Sequence, residues 1–240
     1  MDIIDAFIII GVAALIHASF QLGVSMLTLL GSHTIGKNRS HAKLLRLTGS
    51  YLLGAGVMTA LLLSTTSLVL LAIFESQDIP LLAWAITCGL LMGLGVAMWA
   101  FYYRKEQGTT LWLPRSLATY LAQRTKATHL SGEAFGLGLT GVFAELLFII
   151  GPLAISALVL IQLPAAWQLA GVGFYTLISL LSLLIVAGLI GSGHRISQIQ
   201  KWRETNKRFL QFIGGGGLMI LGLYVYVEKV ITVLTEAGMQ

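Results

Sequence analysis

The sequence predicts an all-α, polytopic membrane protein: six transmembrane helices arranged as two inverted three-helix repeats. Three observations carry that prediction: the scarcity of charge, the way the charge sorts among the connections, and a repeat in the apolar stretches. Of 240 residues, 56% are hydrophobic and only 10% charged, and the mean hydropathy is +0.85. Soluble domains carry about 25% charged residues, so the deficit assigns the chain to a bilayer. Cys88 is the single cysteine, which excludes an internal disulfide or a dithiol redox pair. The opening Met1-Asp2-Ile3-Ile4-Asp5 is acidic where a secretory signal is basic, so no signal peptide is expected.

A crossing needs about 20 apolar residues. Six segments reach that length: Ala6–Leu30, Leu47–Phe74, Leu81–Tyr103, Ala134–Ile161, Trp167–Ile190 and Phe209–Ile231. Fourteen of the fifteen Lys and Arg residues fall in the connections after the first, third and fifth spans, and Lys229 is the exception. Asp2, Asp5, Glu75, Asp78, Glu228 and Glu236 fall on the other side. The positive-inside rule then expects three cytoplasmic basic loops with the N- and C-termini outside, in a bacterial-type inner (plasma) membrane. The net charge of +5 is thereby read as topology and not as a nucleic-acid surface.

The chain divides into a first three-helix repeat (1–105), a cytoplasmic loop (106–131) and a second three-helix repeat (132–240). Within the loop, Pro114 opens a short interfacial helix whose Leu117, Tyr120 and Leu121 share one face, with Arg115, Arg124 and Lys126 elsewhere. Ser131 is the expected N-cap of span four.

The repeat is legible span by span. Residues 6–27 and 134–155 both open Ala-Phe, both reach Phe-x-x-Gly, and both carry one ionisable side chain mid-run, His17 and Glu145, at a shift of 128. Gly54-Ala55-Gly56 with Thr59 echoes Gly171-Val172-Gly173 with Thr176 at a shift of 117. Gly89 to Gly95 echoes Gly216 to Gly222 at a shift of 127. Three spans per unit oblige the second unit to be upside-down, the arrangement in which transporters place their sites at the repeat interface near mid-bilayer.

An ionisable side chain at that depth costs several kcal/mol and is a site hypothesis by default. His17 and Glu145 are therefore the candidate substrate- or ion-coupling residues, joined by Gln21 one turn after His17. Three roles stay open: a proton or cation relay, a structural His–Glu lock between the halves, or a neutral Glu145 in an apolar setting. Gly23, Gly151 and Pro152 mark candidate helix breaks. Gly214-Gly215-Gly216-Gly217 allows either close packing or a hinge. Gly54, Gly56, Thr59, Gly171, Gly173 and Thr176 are read as helix-packing positions. His33, His41, His129 and His194 lie in loops or at inner boundaries and are read as ordinary solvated residues. The span interiors hold too few ligands for a metal, and no cofactor is implied. The spans carry no His-Glu-x-x-His, no Gly-x-Ser-x-Gly, no paired aspartates and no phosphate-cradling loop, so no enzyme is expected.

Three plus three inverted spans, Gly151-Pro152 within span four, and a Gly-rich last span ending Leu-Gly-Leu-Tyr resemble the lysine-exporter (LysE) superfamily, the group that also holds the CcdA/DsbD-type carriers. The resemblance runs over the whole chain and implies a six-span exporter fold. The thiol carriers place Cys beside Pro where this chain has Gly23-Val24 and Gly151-Pro152, which excludes thiol electron transfer. The Pro-Gly-Pro-like break of the amino-acid exporters is missing from span one, so no substrate carries over. The expected function is a secondary transporter or exporter of a small solute or cation, by alternating access around the His/Glu site, with H+ a candidate coupling ion. The alternative is a non-transporting membrane subunit or scaffold whose His–Glu pair is structural. The expected partners are the lipid bilayer, the solute or cation, and a homodimer mate or another membrane protein.

Overall fold

The computed structural model describes residues 2–20, 22–34, 41–74, 79–102, 115–192 and 196–238, and among these every regular element is a helix. The order is α1 (Ile3–Ser19), α2 (Leu22–Thr34), α3 (His41–Phe74), α4 (Leu81–Ala97), α5 (Arg115–Ala127), α6 (Ser131–Ala144), α7 (Leu146–Gln162), α8 (Ala165–Ser179), α9 (Leu181–Gly191), α10 (Ile196–Tyr226) and α11 (Thr232–Gly238). One π-helical segment follows α4 at Met98–Tyr102 and another follows α10 at Val227–Ile231. Gln21, Pro114 and His194, and the side chains of His33, His41 and Leu117, lie outside the described residues.

Ala42–Phe74, Leu81–Ala100 and Arg208–Thr235 are each long and apolar enough to cross a membrane. Three further pairs reach that length only when a bend is included: α1 with α2 at 48°, α6 with α7 at 77°, and α8 with α9 at 50°. The helices also expose large apolar side chains such as Leu53, Leu68, Leu169 and Ile220, the outward face of a protein solvated by hydrocarbon. The chain is an integral membrane protein.

Several sequence expectations are corrected. The first, fourth and fifth apolar segments are broken, and the break in the fourth lies at Glu145, not at Gly151-Pro152. Helix α7 is continuous across the buried Pro152, and the 77° turn lies before its first residue. The four glycines 214–217 form no hinge; α10 is continuous across them, and they admit neighbours instead. A Cβ on Gly215 would strike the Trp99 ring at 2.6 Å, and one on Gly217 would meet Ile16 at 3.0 Å. Gly173 has nothing within 4 Å of such a Cβ and is not a packing glycine. Ser131 is the first residue of α6, not its cap. The cap comes from Glu133, whose Oε2 accepts from the N–H groups of His129 (2.9 Å) and Leu130 (3.2 Å). On α5 the docked face carries Leu121 and Thr125, with the buried Thr128 just after the helix, while Tyr120 is exposed. That face leans on α2 and α6.

Two backbone crossings set the packing. Helix α3 lies along α6, where a Cβ on Gly54 would fall on the carbonyl of Phe135 and one on Gly138 on the carbonyl of Tyr51. Helix α4 lies along α10. There a Cβ on Gly95 would meet Met219 Cγ at 2.6 Å and Gly215 O at 2.7 Å. A Cβ on Gly222 would meet Met92 Cγ at 3.0 Å and Cys88 O at 3.1 Å. Such contact without side chains between helices is how small residues drive association where lipid removes the hydrophobic effect. At the far end of this pair, Lys229 lies 5.8 Å above the Trp84 ring and 3.3 Å from Glu228.

Two predictions follow from these contacts. Gly138→Ala should lower stability in detergent by about 1–3 kcal/mol, the usual cost of overpacking, while Gly173→Ala should leave the melting temperature unchanged; equal effects would remove the crossing argument. Backbone hydrogen bonds from His129 and then Leu130 hold the Glu133 carboxyl below its ordinary pKa. Its contribution is therefore present above the unfolded value of about 4.3 and is lost as pH falls through the lowered folded value. A melting-temperature gap between wild type and Glu133→Gln, open at neutral pH, should close in acid.

Candidate functional site

Helix α1 ends at Ser19 without a proline or glycine. The Ser19 hydroxyl donates to the Ile16 carbonyl at 2.6 Å, and Phe20 turns to an extended conformation while its N–H donates to His17 O at 3.1 Å. The α8–α9 break is built alike: Ser179 Oγ donates to Thr176 O at 2.9 Å just before Leu180. Serine back-bonding of this kind competes with the helical ladder and bends it. Glu145 keeps its backbone satisfied through the 77° turn. Its N–H reaches the carbonyls of Gly141 and Val142, and its carbonyl accepts from Phe148 and Ile149.

These breaks expose helix ends inside the bundle, and side chains from other helices meet them. The Gly23 N–H, in the first turn of α2, donates to Glu145 Oε1 at 2.7 Å. The Gly23 carbonyl accepts from the Tyr51 hydroxyl at 3.1 Å. A carboxylate at a helix N-terminus satisfies an orphan donor and lies on the favourable side of the helix dipole. His17 Nδ1 lies 3.0 Å from the Tyr175 hydroxyl. With Nε2 protonated, the tyrosine donates to Nδ1; with Nδ1 protonated, the histidine donates. The rings of Phe20 and Phe148, at equivalent places in the two related stretches, pack 5.8 Å apart.

His17 and Glu145 are 5% and 6% exposed. They line the same cavity, of about 20 Å³, together with Tyr51, Thr59, Ser179 and Ser182. That volume holds about one water. Thr59 is 1% exposed, and its hydroxyl has no hydrogen-bond partner among the described residues. The site thus gathers a carboxylate, an imidazole, a phenol and three aliphatic hydroxyls around a space the size of a water molecule.

The sequence singled out His17 and Glu145, and the fold brings both to one cavity, although His17 takes Tyr175 as its hydrogen-bond partner. Gly23 works through its backbone at the start of α2. Thr59, read as a packing residue, is a cavity wall. Thr176 lies on the packing side, its methyl 3.9 Å from a Cβ placed on Gly56. Tyr51 and Tyr175 were missed as site residues. Both are among the largest fully buried side chains, and a buried tyrosine usually finds a partner for its hydroxyl. Among the described residues no three His, Cys, Asp or Glu side chains come together as metal ligands. No protein-family model matches the chain, and no curated protein or solved structure matches it.

Removing Glu145 tests the capping role. Glu145→Ala leaves the Gly23 N–H without this acceptor and should cost about 1–3 kcal/mol, whereas Glu145→Gln keeps an acceptor oxygen and should cost less. Equal loss of melting temperature in the two variants would contradict it.

Proposed function

We propose that this protein is a secondary transporter or exporter of a small solute or cation. It is built as six spans in two inverted repeats and works by alternating access around the cavity between His17 and Glu145. The observation that carries the reading is that cavity: a cluster of polar side chains at and beside helix breaks inside an apolar bundle, one of them a buried hydroxyl without a partner among the described residues. Discontinuous helices whose ends face a midplane site are the form transporters use to bind solutes and ions.

The inverted repeat is supported by reciprocal contacts. Gly222 is 127 positions after Gly95, Met219 is 127 after Met92, and Gly215 is 127 after Cys88. The contact of Gly95 with Met219 and Gly215 is thus returned by the contact of Gly222 with Met92 and Cys88. Residue i touching j while the counterpart of j touches the counterpart of i is the signature of an isologous, two-fold interface. The larger pairs follow the same exchange: α3 packs on α6 while α8 packs on α1, and α4 packs on α10. The first span of each half is broken, and each third span ends in a π-helical segment. The basic loops lie in the cytoplasm and the termini outside, and the likeness to the lysine-exporter superfamily agrees with this layout.

In the mechanism, H+ is the coupling ion and Glu145 its carrier. As a carboxylate, Glu145 holds the positive end of α2 against the α6–α7 bend. Protonated, it is a weaker acceptor and loses the charge–dipole attraction, worth about 0.3–2 kcal/mol. Proton binding therefore favours the state in which α2 has moved, and can shift the equilibrium only by that difference. His17, on the facing break, relays or receives the proton through the water-sized space.

A second reading, a non-transporting subunit or scaffold with a structural polar cluster, is favoured by the cavity's size, which admits a water and no solute. Proteoliposome flux of amino acids and divalent cations separates the two. Flux should fall at least tenfold in His17→Ala, Glu145→Gln and Thr59→Val; normal flux in the first two removes the site, and no flux of any solute leaves the scaffold.

A further inference from the structure

A second cavity, of about 470 Å³, lies beside the polar one, between the end of α1, α2, α9 and the first turns of α10. Phe20, Val24 and Ser182 line both, so they form the wall between them. Its surface is almost wholly apolar, with Val186, Leu189 and Ile199 prominent in the lining. Two lining residues, Ile185 on α9 (55% exposed) and Trp202 on α10 (59% exposed), stand at its rim. Leu184 on α9 and Phe209 and Phe212 on α10 are exposed as well. The cavity therefore opens at the exposed surface of α9 and α10.

The rim is also basic. Between residues 201 and 208 the sequence carries four basic residues and one acidic residue, Glu204. Lys201 and Arg208 are exposed and seven positions apart, hence on one side of α10, each next to an exposed aromatic, Trp202 and Phe209. Aromatics with basic neighbours are the marks of the headgroup level. An apolar slot flanked by exposed cationic side chains fits an amphiphile with one apolar chain to insert and a negative charge to leave at the surface.

We propose that this cavity binds one acyl chain of an anionic phospholipid from the basic-side leaflet, its phosphate held by Lys201 and Arg208. The assignment needs only that the chain is an integral membrane protein and does not depend on transport. A chain seated there lies against Phe20 and Val24, the wall of the polar cavity, so lipid occupancy bears directly on the packing of the α1–α2 break.

The test uses the full chain in phosphatidylcholine vesicles, titrated with bromine-labelled phosphatidylglycerol or bromine-labelled phosphatidylcholine. The Trp202 signal is taken as the difference between wild type and Trp202→Phe. Short-range quenching of that signal should reach half its limit at a mole fraction at least fivefold lower for the anionic lipid, since one basic side chain near the surface contributes about that factor. Lys201→Gln with Arg208→Gln should bring the two lipids within twofold. Val186→Phe, and separately Leu189→Phe at a less buried position, should reduce quenching while elution and melting stay near wild type. Equal quenching by both lipids in the wild type overturns the proposal. So does relief of quenching by a soluble apolar solute at concentrations that leave the bulk lipid unchanged, which would assign the cavity to that solute.

Discussion

A helix that stops inside hydrocarbon leaves N–H and C=O groups that no water can reach, and each one left unpaired costs several kcal/mol. Three apolar segments of this chain are broken, so the protein must supply partners from its own side chains. The bond from the Gly23 N–H to Glu145 is the most consequential of these. It joins the start of α2 to the α6–α7 bend, ties residues 122 positions apart, and gives a buried carboxyl a reason to be where it is. Tyr51 then satisfies the carbonyl of the same glycine, so both polar groups of Gly23 are held by other helices.

Those bonds depend on backbone crossings some distance away. The Tyr51 carbonyl is the group that a side chain at position 138 would strike, and its hydroxyl is the group that reaches Gly23. Glycine at 138 therefore lets α3 approach α6 closely enough for Tyr51 to span from one contact to the other. On the opposite side a Cβ on Gly171 would fall on Leu160 of α7 and leave Ile10 of α1 in ordinary contact at 3.6 Å; α8 packs on α1, with Tyr175 within reach of His17. Packing by small residues and the polar cluster are one arrangement, because the hydroxyls can only bridge helices whose backbones nearly touch.

Much of this was legible in the sequence. Apolar length and loop charge identified a membrane protein, and the two isolated ionisable residues led to the cavity, since so few polar side chains occupy the spans that any two are conspicuous. The breaks were not legible. Gly151-Pro152 looked like the obvious interruption of its span, yet membrane helices tolerate proline, and α7 is continuous across Pro152. The actual breaks fall after Ser19 and Ser179, where a hydroxyl competes for its own helix's carbonyls, and at Glu145, where a carboxylate serves a different helix. Serines in apolar helices are common, so the local signal is weak; what decides is a partner at the far side of the bundle, which periodicity does not report. The glycines divide for the same reason: Gly54 and Gly173 sit in matching motifs, but only a neighbour's position determines which one admits a backbone.

The proposed two-fold is closest where the chain is least chemical and weakest at the site. Spans three and six exchange contacts residue for residue through Gly95 and Gly222. In the site, His17 corresponds to Glu145, and the tyrosine that meets His17 corresponds to Met58, which brings no hydroxyl. The bend at Leu180 has no match in α3, which is one helix of 34 residues. A Cβ on Gly56 would meet Leu180 at 3.2 Å, while one on its counterpart Gly173 would face open space. In the proposed transport cycle, a perfectly symmetric core would make the inward- and outward-open arrangements equal in energy and give a bound proton no preference between them. A base on one break and an acid on the other would give the two proposed states different affinities for H+, and differential affinity is the only quantity through which a ligand can drive one state into the other.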